Sequence, residues 1–417
     1  MTQRHITEIV KQSLGDFPAV LINGARQVGK STLAHQLINF GFAERYVTLD
    51  DITTLQAARE DPDSFVRQFG EQRVAIDEIQ RVPDLMRALK KTIDEDRRPG
   101  RFILTGSANI LSYPEVSESL AGRVDIIPLE GLSLGELYNQ EDPSPFFNDL
   151  FSGSSFQEIA RTWTARNQHT ISKKDLLKRV LFGGFPEVAL KQQERFKDRW
   201  FSSYISAYID KDVRDLTRLV DVTSFNKVFR LASLQTGNLL NIKTLSMEIG
   251  LDQRTVNRYL DILAITFQNQ LLLPWFSNTR KRLLKTPKIY ATDSATACYV
   301  MGIHSEEQLE KHPHLGALLE TWIFAELRKL LALTTGIEKS FYRTHQGKEV
   351  DFVFMKGNHC VAVECKASSQ VSRSDFKGMD DLTEALGSEI KGIVMYCGHE
   401  IVLFSDTLMA VPYHVLI

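Results

Sequence analysis

The residues with the clearest chemical spacing lie near the amino terminus: Gly24-Ala25-Arg26-Gln27-Val28-Gly29-Lys30-Ser31-Thr32. They follow a short apolar run, Ala19-Val20-Leu21-Ile22-Asn23, and lead into Leu33-Ala34-His35-Gln36-Leu37. The spacing GxxxxGK[ST] in a strand–loop–helix context is that of a phosphate-binding loop. Glycines at 24 and 29 let backbone N–H groups curl around phosphate oxygens that a Cβ would crowd. A helix amino terminus adds positive dipole. Lys30 would reach the β- and γ-phosphates of ATP, and the Ser31 hydroxyl would ligate Mg2+. A second strand ending in acid is then required, and Val74-Ala75-Ile76-Asp77-Glu78 supplies it. Asp77 would hold the metal, and Glu78 would orient and activate the attacking water. Phe102-Ile103-Leu104-Thr105-Gly106-Ser107 reads as a third buried strand that can bring Thr105 or Ser107 to the γ-phosphate. Arg123, after a small turn, is a candidate for charge stabilisation on a neighbouring subunit's nucleotide; the alternative is a surface ion pair.

Two further constellations lie downstream. Asn241 to Leu251 and Asp252 to Leu263 read as two short helices across the Gly250 turn, a helix-turn-helix arrangement. Its apolar face is Val256, Tyr259, Leu260 and Leu263, which leaves Arg254, Asn257 and Arg258 where a recognition helix meets DNA. A strand over 270–276 would follow, as in a winged helix. The run Arg280-Lys281-Arg282-Leu283-Leu284-Lys285-Thr286-Pro287-Lys288 then carries five bases and no acid. It is a candidate for duplex phosphate contact, or for a solvated face or protein-docking surface. Nearer the carboxyl terminus, Glu320 sits in an apolar helix, Asp351 on a strand, and Glu364-Cys365-Lys366 on the returning strand. Period-two geometry puts Glu364 and Lys366 on one face.

These groups need elements to hold them, and the composition allows several domains. The chain has 417 residues, 43% hydrophobic and 24% charged, so each domain can bury a core. A formal net charge of -2 excludes a uniformly basic coat, so any nucleic-acid contact must be local. The four cysteines are scattered with no CxxC, which argues against a zinc site or disulfide framework and fits a reducing compartment. No stretch reaches 18 apolar residues without a charge, so neither a spanning helix nor a membrane partner is expected, and the expected location is cytoplasmic. Alternating strands and helices from 19 to about 130 predict a parallel sheet. The expected division is a P-loop ATPase core over 1–135, a helical lid or linker over 136–222, a winged-helix domain over 223–292 and an α/β domain over 293–417. Within the second of these, Gly183-Gly184-Phe185-Pro186 predicts a sharp turn near the ATPase core.

Taken together, these motifs resemble the bacterial and archaeal AAA-type P-loop ATPases with a C-terminal domain of unknown function numbered 4143. The resemblance rests on GARQVGKST (24–32), VAIDEIQRVPDL (74–85), FILTGSAN (102–109), LAGR (120–123) and GGFPE (183–187). It continues through YIDKDVRDL (208–216), RTVNRYLDIL (254–263), EVDFVF and VECK. It implies an AAA-type parallel-sheet ATPase with a winged-helix middle, using ATP and Mg2+. The order of Glu320, Asp351, Glu364 and Lys366 also resembles the PD-(D/E)xK nuclease fold. In active members of that fold Asp351 and Glu364 would bind Mg2+ and Lys366 would position water. The expected function is Mg-dependent ATP hydrolysis by a homo-oligomer acting on or near duplex DNA. The alternative is a slow NTP-gated switch that docks a protein partner, with an inactive tail.

Overall fold

The computed structural model describes residues 2–108, 122–166, 170–208, 221–276 and 285–417. Arg280, Lys281 and Arg282 lie outside the described residues. The chain divides into two compact units. One is Met1–Leu132 with Ile205–Val220 and Asp261–Gln268; the other is Ser133–Tyr204, Asp221–Leu260 and Asn269–Ile417.

In the first unit, strands β1 (Ala19–Asn23), β2 (Arg45–Thr48), β3 (Val74–Asp77), β4 (Phe102–Gly106) and β5 (Val124–Pro128) form one parallel sheet in the order β2-β3-β4-β1-β5. Every residue of β1, β3 and β4 is buried. A strand covered on both faces reads as an unbroken apolar run, which is why these three were legible. Asn23 stands opposite Gly106, and Thr48 opposite Asp77. The ends of four strands therefore open onto one edge, where ligands of parallel α/β sheets bind. The helix Leu85–Glu95 buries Leu85, Met86, Leu89 and Ile93 against Leu21, Ile76, Phe102 and Leu104.

The second unit holds the helices Val222–Leu234, Ile242–Ile249 and the start of Gln253–Ile265, each begun by an Asx cap. Asp221 accepts from Thr223 N, Asn241 from Thr244 N and Asp252 from Thr255 N. Strands β6 (Asn238–Leu239), β7 (Asn269–Leu272) and β8 (Lys288–Ala291) form an antiparallel sheet in the order β6-β8-β7. β7 ends earlier than the sequence suggests, because Pro274 has no N–H for the ladder and instead forms an isolated bridge with Phe341.

A six-stranded sheet follows, from β9 (Glu338–Arg343), β10 (Glu349–Lys356), β11 (His359–Cys365), β12 (Lys391–Tyr396), β13 (Val402–Leu403) and β14 (Leu408–Pro412). Its order is β13-β14-β12-β11-β10-β9. β9, β10 and β11 are antiparallel neighbours, whereas β12 runs parallel to β11. The helix Leu315–Leu331 is buried on most of its circumference and stacks Phe324 on Phe352 of β10, ring centroids 5.2 Å apart.

The Gly183-Gly184 turn belongs to the second unit and has a specific local role there. Buried Asp293 accepts from Gly184 N at 2.7 Å and caps the helix Ser294–Val300 through Ala295 N at 2.9 Å. Gly183 has φ +61 and ψ -151, a region open to glycine almost alone, and a Cβ there would lie 1.9 Å from Asp293 Oδ1. Gly183→Ala should therefore destabilise the chain by about 2–4 kcal/mol in urea unfolding; an unchanged midpoint would contradict this role.

Candidate functional site

The loop after β1 has the geometry of a phosphate cradle. Gly24 has φ +156, and a Cβ on it would meet the Leu129 carbonyl oxygen at 2.0 Å. Gly29 has φ +100 and caps the helix Lys30–Asn39. The Lys30 ammonium curls back over the loop and donates to the carbonyls of Gly24 at 3.0 Å and Ala25 at 2.8 Å. Arg4 braces the loop from behind, donating to the Val28 carbonyl at 2.9 Å and the Glu130 carbonyl at 2.7 Å. Among the other loop residues, Ala25 and Val28 are buried, Arg26 is half-buried, and Gln27 and Thr32 are exposed.

Asp77 ends β3 at 5% exposure. Its carboxylate accepts from Ser31 Oγ at 3.1 and 3.2 Å, from Tyr46 Oη at 2.7 Å, and from Thr105 Oγ1. Burial, then the hydrogen bond and charge of Asp77, push the Tyr46 phenol above its ordinary range, so it stays a donor. Ser31 and Asp77 thus bring hard oxygens together at the mouth of the loop, a donor set that fits Mg2+ completed by water and phosphate oxygens.

Glu78 follows in a left-handed conformation, φ +60 and ψ 45, unusual for a residue with a Cβ. Its N–H donates to Thr105 Oγ1 at 3.1 Å. Its carboxylate accepts from Ser107 Oγ at 3.0 Å and from the Gln80 amide. Gln80 also donates to Ser107 Oγ at 2.7 Å and accepts from Ser107 N at 3.2 Å. The structure thereby joins the two residues expected to handle water and γ-phosphate through a third. Gln80, Tyr46 and Arg4 were not singled out in the sequence. Gln80 lies inside the landmark 74–85, so its position was visible but its contacts were not.

Arg123 is placed differently. It precedes β5, beside the start of β1, at the edge of the sheet opposite its own phosphate loop. Its Nε and Nη2 form a bidentate pair with Asp94, both at 2.8 Å, which holds the Asp94 carboxyl below the usual range. This gives Arg123 no role at its own loop.

The second constellation also assembles, with an addition. On the helix Gln253–Ile265, Arg254, Asn257 and Arg258 are exposed, and Val256, Tyr259, Leu260 and Leu263 are buried. In the C-terminal sheet Lys366 Nζ meets Glu364 Oε1 at 2.9 Å, and Asp351 accepts from Cys365 N at 2.9 Å. Glu320 and Asp351 share one cation, Lys288 Nζ, at 2.8 and 3.6 Å, and Glu349 reaches it at 2.6 Å. Lys288 is therefore removed from the basic run that was expected to face phosphate: it is 2% exposed and buried among carboxylates, whereas Lys285 remains exposed. Burial and the Asp351 charge push Glu320 up to about 7, and burial and the same charge push Glu364 up to about 8. Among the described residues no group of three or more His, Cys, Asp or Glu is arranged to hold a metal ion, and no helix is long and apolar enough to cross a membrane.

Residues 16–138 match the family described as AAA domain, 173–307 a domain of unknown function (DUF8612), and 315–416 a domain of unknown function (DUF4143). An uncharacterized protein of Mycobacterium tuberculosis is 28% identical over 405 residues, 97% of this chain and 82% of that protein. One of Methanocaldococcus jannaschii is 21% identical over 371 residues, 85% and 76% of the two chains. Among solved structures, the Walker-type ATPase of Pyrococcus abyssi aligns with a TM-score of 0.41 at 12% identity, covering 71% of this chain and 94% of that one.

If Gln80 positions Glu78, Gln80→Ala should lower ATP turnover by roughly tenfold, part of the ~10²–10⁴ that a general base contributes. Binding of a fluorescent ATP analogue should be unchanged. Turnover equal to the parent's would remove Gln80 from the site.

Proposed function

The chain carries an AAA domain followed by a DUF4143 domain, and from that premise we propose that it binds and hydrolyses ATP in a Mg-dependent manner. The observation that carries the reading is the Asp77–Glu78 pair at the mouth of the phosphate loop, Asp77 beside Ser31 and Glu78 beside Ser107. Loop N–H groups and Lys30 would bind the β- and γ-phosphates, Lys30 exchanging its loop carbonyls for phosphate oxygens. Ser31 and Asp77 would hold Mg2+, which when bound neutralises phosphate charge. Glu78 would orient a water and take its proton as the water oxygen bonds to the γ-phosphorus and the bond to the β-phosphate oxygen breaks, releasing ADP. Ser107, tied to Glu78 through Gln80, would report whether the γ-phosphate is present.

The reading extends to a homo-oligomer, in which Arg123 would reach a neighbouring copy's nucleotide rather than its own. It extends also to DNA. The helix–strand–helix–helix–strand–strand order over 222–291, with the sheet order β6-β8-β7, supports a winged-helix domain. Exposed Arg254 and Arg258 would meet duplex phosphates, joined by Arg280, Lys281 and Arg282. The helix Leu315–Leu331 followed by β9 to β12 supports a PD-(D/E)xK-like tail. One observation favours a second reading, a slow NTP-gated switch that docks a protein partner: a lysine occupies the tail's acid cluster, as an inactive nuclease-like module would allow.

Steady-state hydrolysis with and without duplex DNA, beside Lys30→Ala, tests the proposal. We expect Lys30→Ala to lower turnover by on the order of 10²–10³, as for loss of one charge-stabilising donor. Duplex DNA should stimulate the parent, and Arg254→Ala/Arg258→Ala should weaken that stimulation. Hydrolysis indifferent to Lys30 would overturn the assignment of the site; hydrolysis that needs Lys30 but ignores DNA would favour the partner-docking switch.

A further inference from the structure

The nuclease-like order of Glu320, Asp351, Glu364 and Lys366 implies a divalent cation between the acids, and the side chains present do not fit one. An ammonium of the chain itself lies among the acids, against Glu320 and Asp351 of that order and the neighbouring Glu349, while Lys366 holds Glu364. Lys288 Nζ lies 2.6 Å from Glu349, 2.8 Å from Glu320 and 3.6 Å from Asp351. An ammonium has three N–H donors, and here three carboxylates surround it. The remaining acceptor capacity of these three is shared among other donors of the same unit: Tyr290 Oη to Glu320, Cys365 N to Asp351 and Arg343 to Glu349 at 3.3 Å. The aromatic ring of Phe341 lies 5.6 Å from the Lys288 ammonium and helps shut water out.

We propose that Lys288 is the resident cation of this acid cluster, a latch by which strand β8 excludes a divalent cation from the C-terminal module. A metal ion bonds carboxylate oxygens at about 2.0–2.1 Å for Mg2+, and it cannot share the Glu320 and Glu349 oxygens with an ammonium already 2.8 and 2.6 Å from them and 3.6 Å from Asp351. The two cations compete for one set of acids. Lys288 and Tyr290 sit two residues apart on β8 and therefore on one face, and both hold Glu320. Exchange of lysine for metal thus requires the Lys288 ammonium, carried by the middle strand of the β6-β8-β7 sheet, to leave Glu320 and Glu349. The latch rests on this side-chain geometry and stands or falls independently of ATP hydrolysis.

The test is Mn2+ binding to the nucleotide-free full chain, followed by loss of the free-ion electron paramagnetic resonance signal and by the melting temperature. Four proteins are compared: the parent, Asp351→Asn, Lys288→Met, and Lys288→Met/Asp351→Asn. We expect the parent and Asp351→Asn to bind Mn2+ alike, since the latched cluster takes none. Lys288→Met should gain one site that the double variant lacks. Mn2+ should raise the melting temperature of Lys288→Met by several degrees more than that of the parent, because a ligand bound only by the folded state stabilises it. If Lys288→Met does not fold, Glu349→Gln removes the nearest partner of the lysine at a half-buried position and should admit Mn2+ more weakly at an Asp351-dependent site. An Asp351-dependent Mn2+ site in the parent would overturn the latch, as would the absence of any gained site in the folded variants.

Discussion

The buried Asp77 carboxylate is the constraint around which the first unit is arranged. A carboxylate taken out of water must be met by hydrogen-bond donors. Here the donors are hydroxyls from separate elements: Ser31 from the phosphate loop, Tyr46 from β2 and Thr105 from β4. Those three converge because β4 lies between β1 and β3 and β2 lies outside β3. The same Thr105 hydroxyl accepts from Glu78 N–H and so fixes the left-handed turn that carries Glu78 to Ser107 and Gln80. Asp77 and Glu78 are thus neighbours in sequence turned toward different partners by one threonine.

The second unit meets the same physical problem with the opposite solution. Its acids at 320, 349 and 351 gather around a lysine of the chain rather than a ring of hydroxyls. A hydroxyl ring leaves room for a cation to be added; an ammonium takes its place. The two acid sites of one chain are accordingly held differently, one by hydroxyls and the other by a lysine of β8.

Much of this was legible in the residues, for reasons particular to each case. The phosphate loop, β1, β3 and β4 are local: apolar runs bounded by glycine or acid, with the chemistry at the strand ends. The buried and exposed faces of the helix Gln253–Ile265 followed from 3.6-residue periodicity, and the β10–β11 hairpin from alternation about the Gly357 turn. What escaped were contacts made only by sheet order. Tyr46 reads as an ordinary strand tyrosine until β2 is set beside β3, and Arg4 reads as a charged terminal residue until it meets Val28 and Glu130. Lys288 was misplaced because a run of bases has one electrostatic meaning in solution, whereas β8 turns its first residue inward against acids far away in sequence. Gly183 was legible as a turn, but its partner, Asp293, lies 109 residues farther on for the bond to Gly184.

The proposed hydrolysis rests on Glu78 activating water while the loop alone binds the nucleotide. The decisive measurement is ATP binding and single-turnover hydrolysis by Glu78→Gln, which keeps the size of the side chain and its contacts with Ser107 and Gln80 within reach. The account predicts ATP affinity within about threefold of the parent's and a hydrolysis rate lower by ~10²–10⁴, the share of a general base. Hydrolysis at the parent's rate, or loss of ATP binding together with activity, would contradict it.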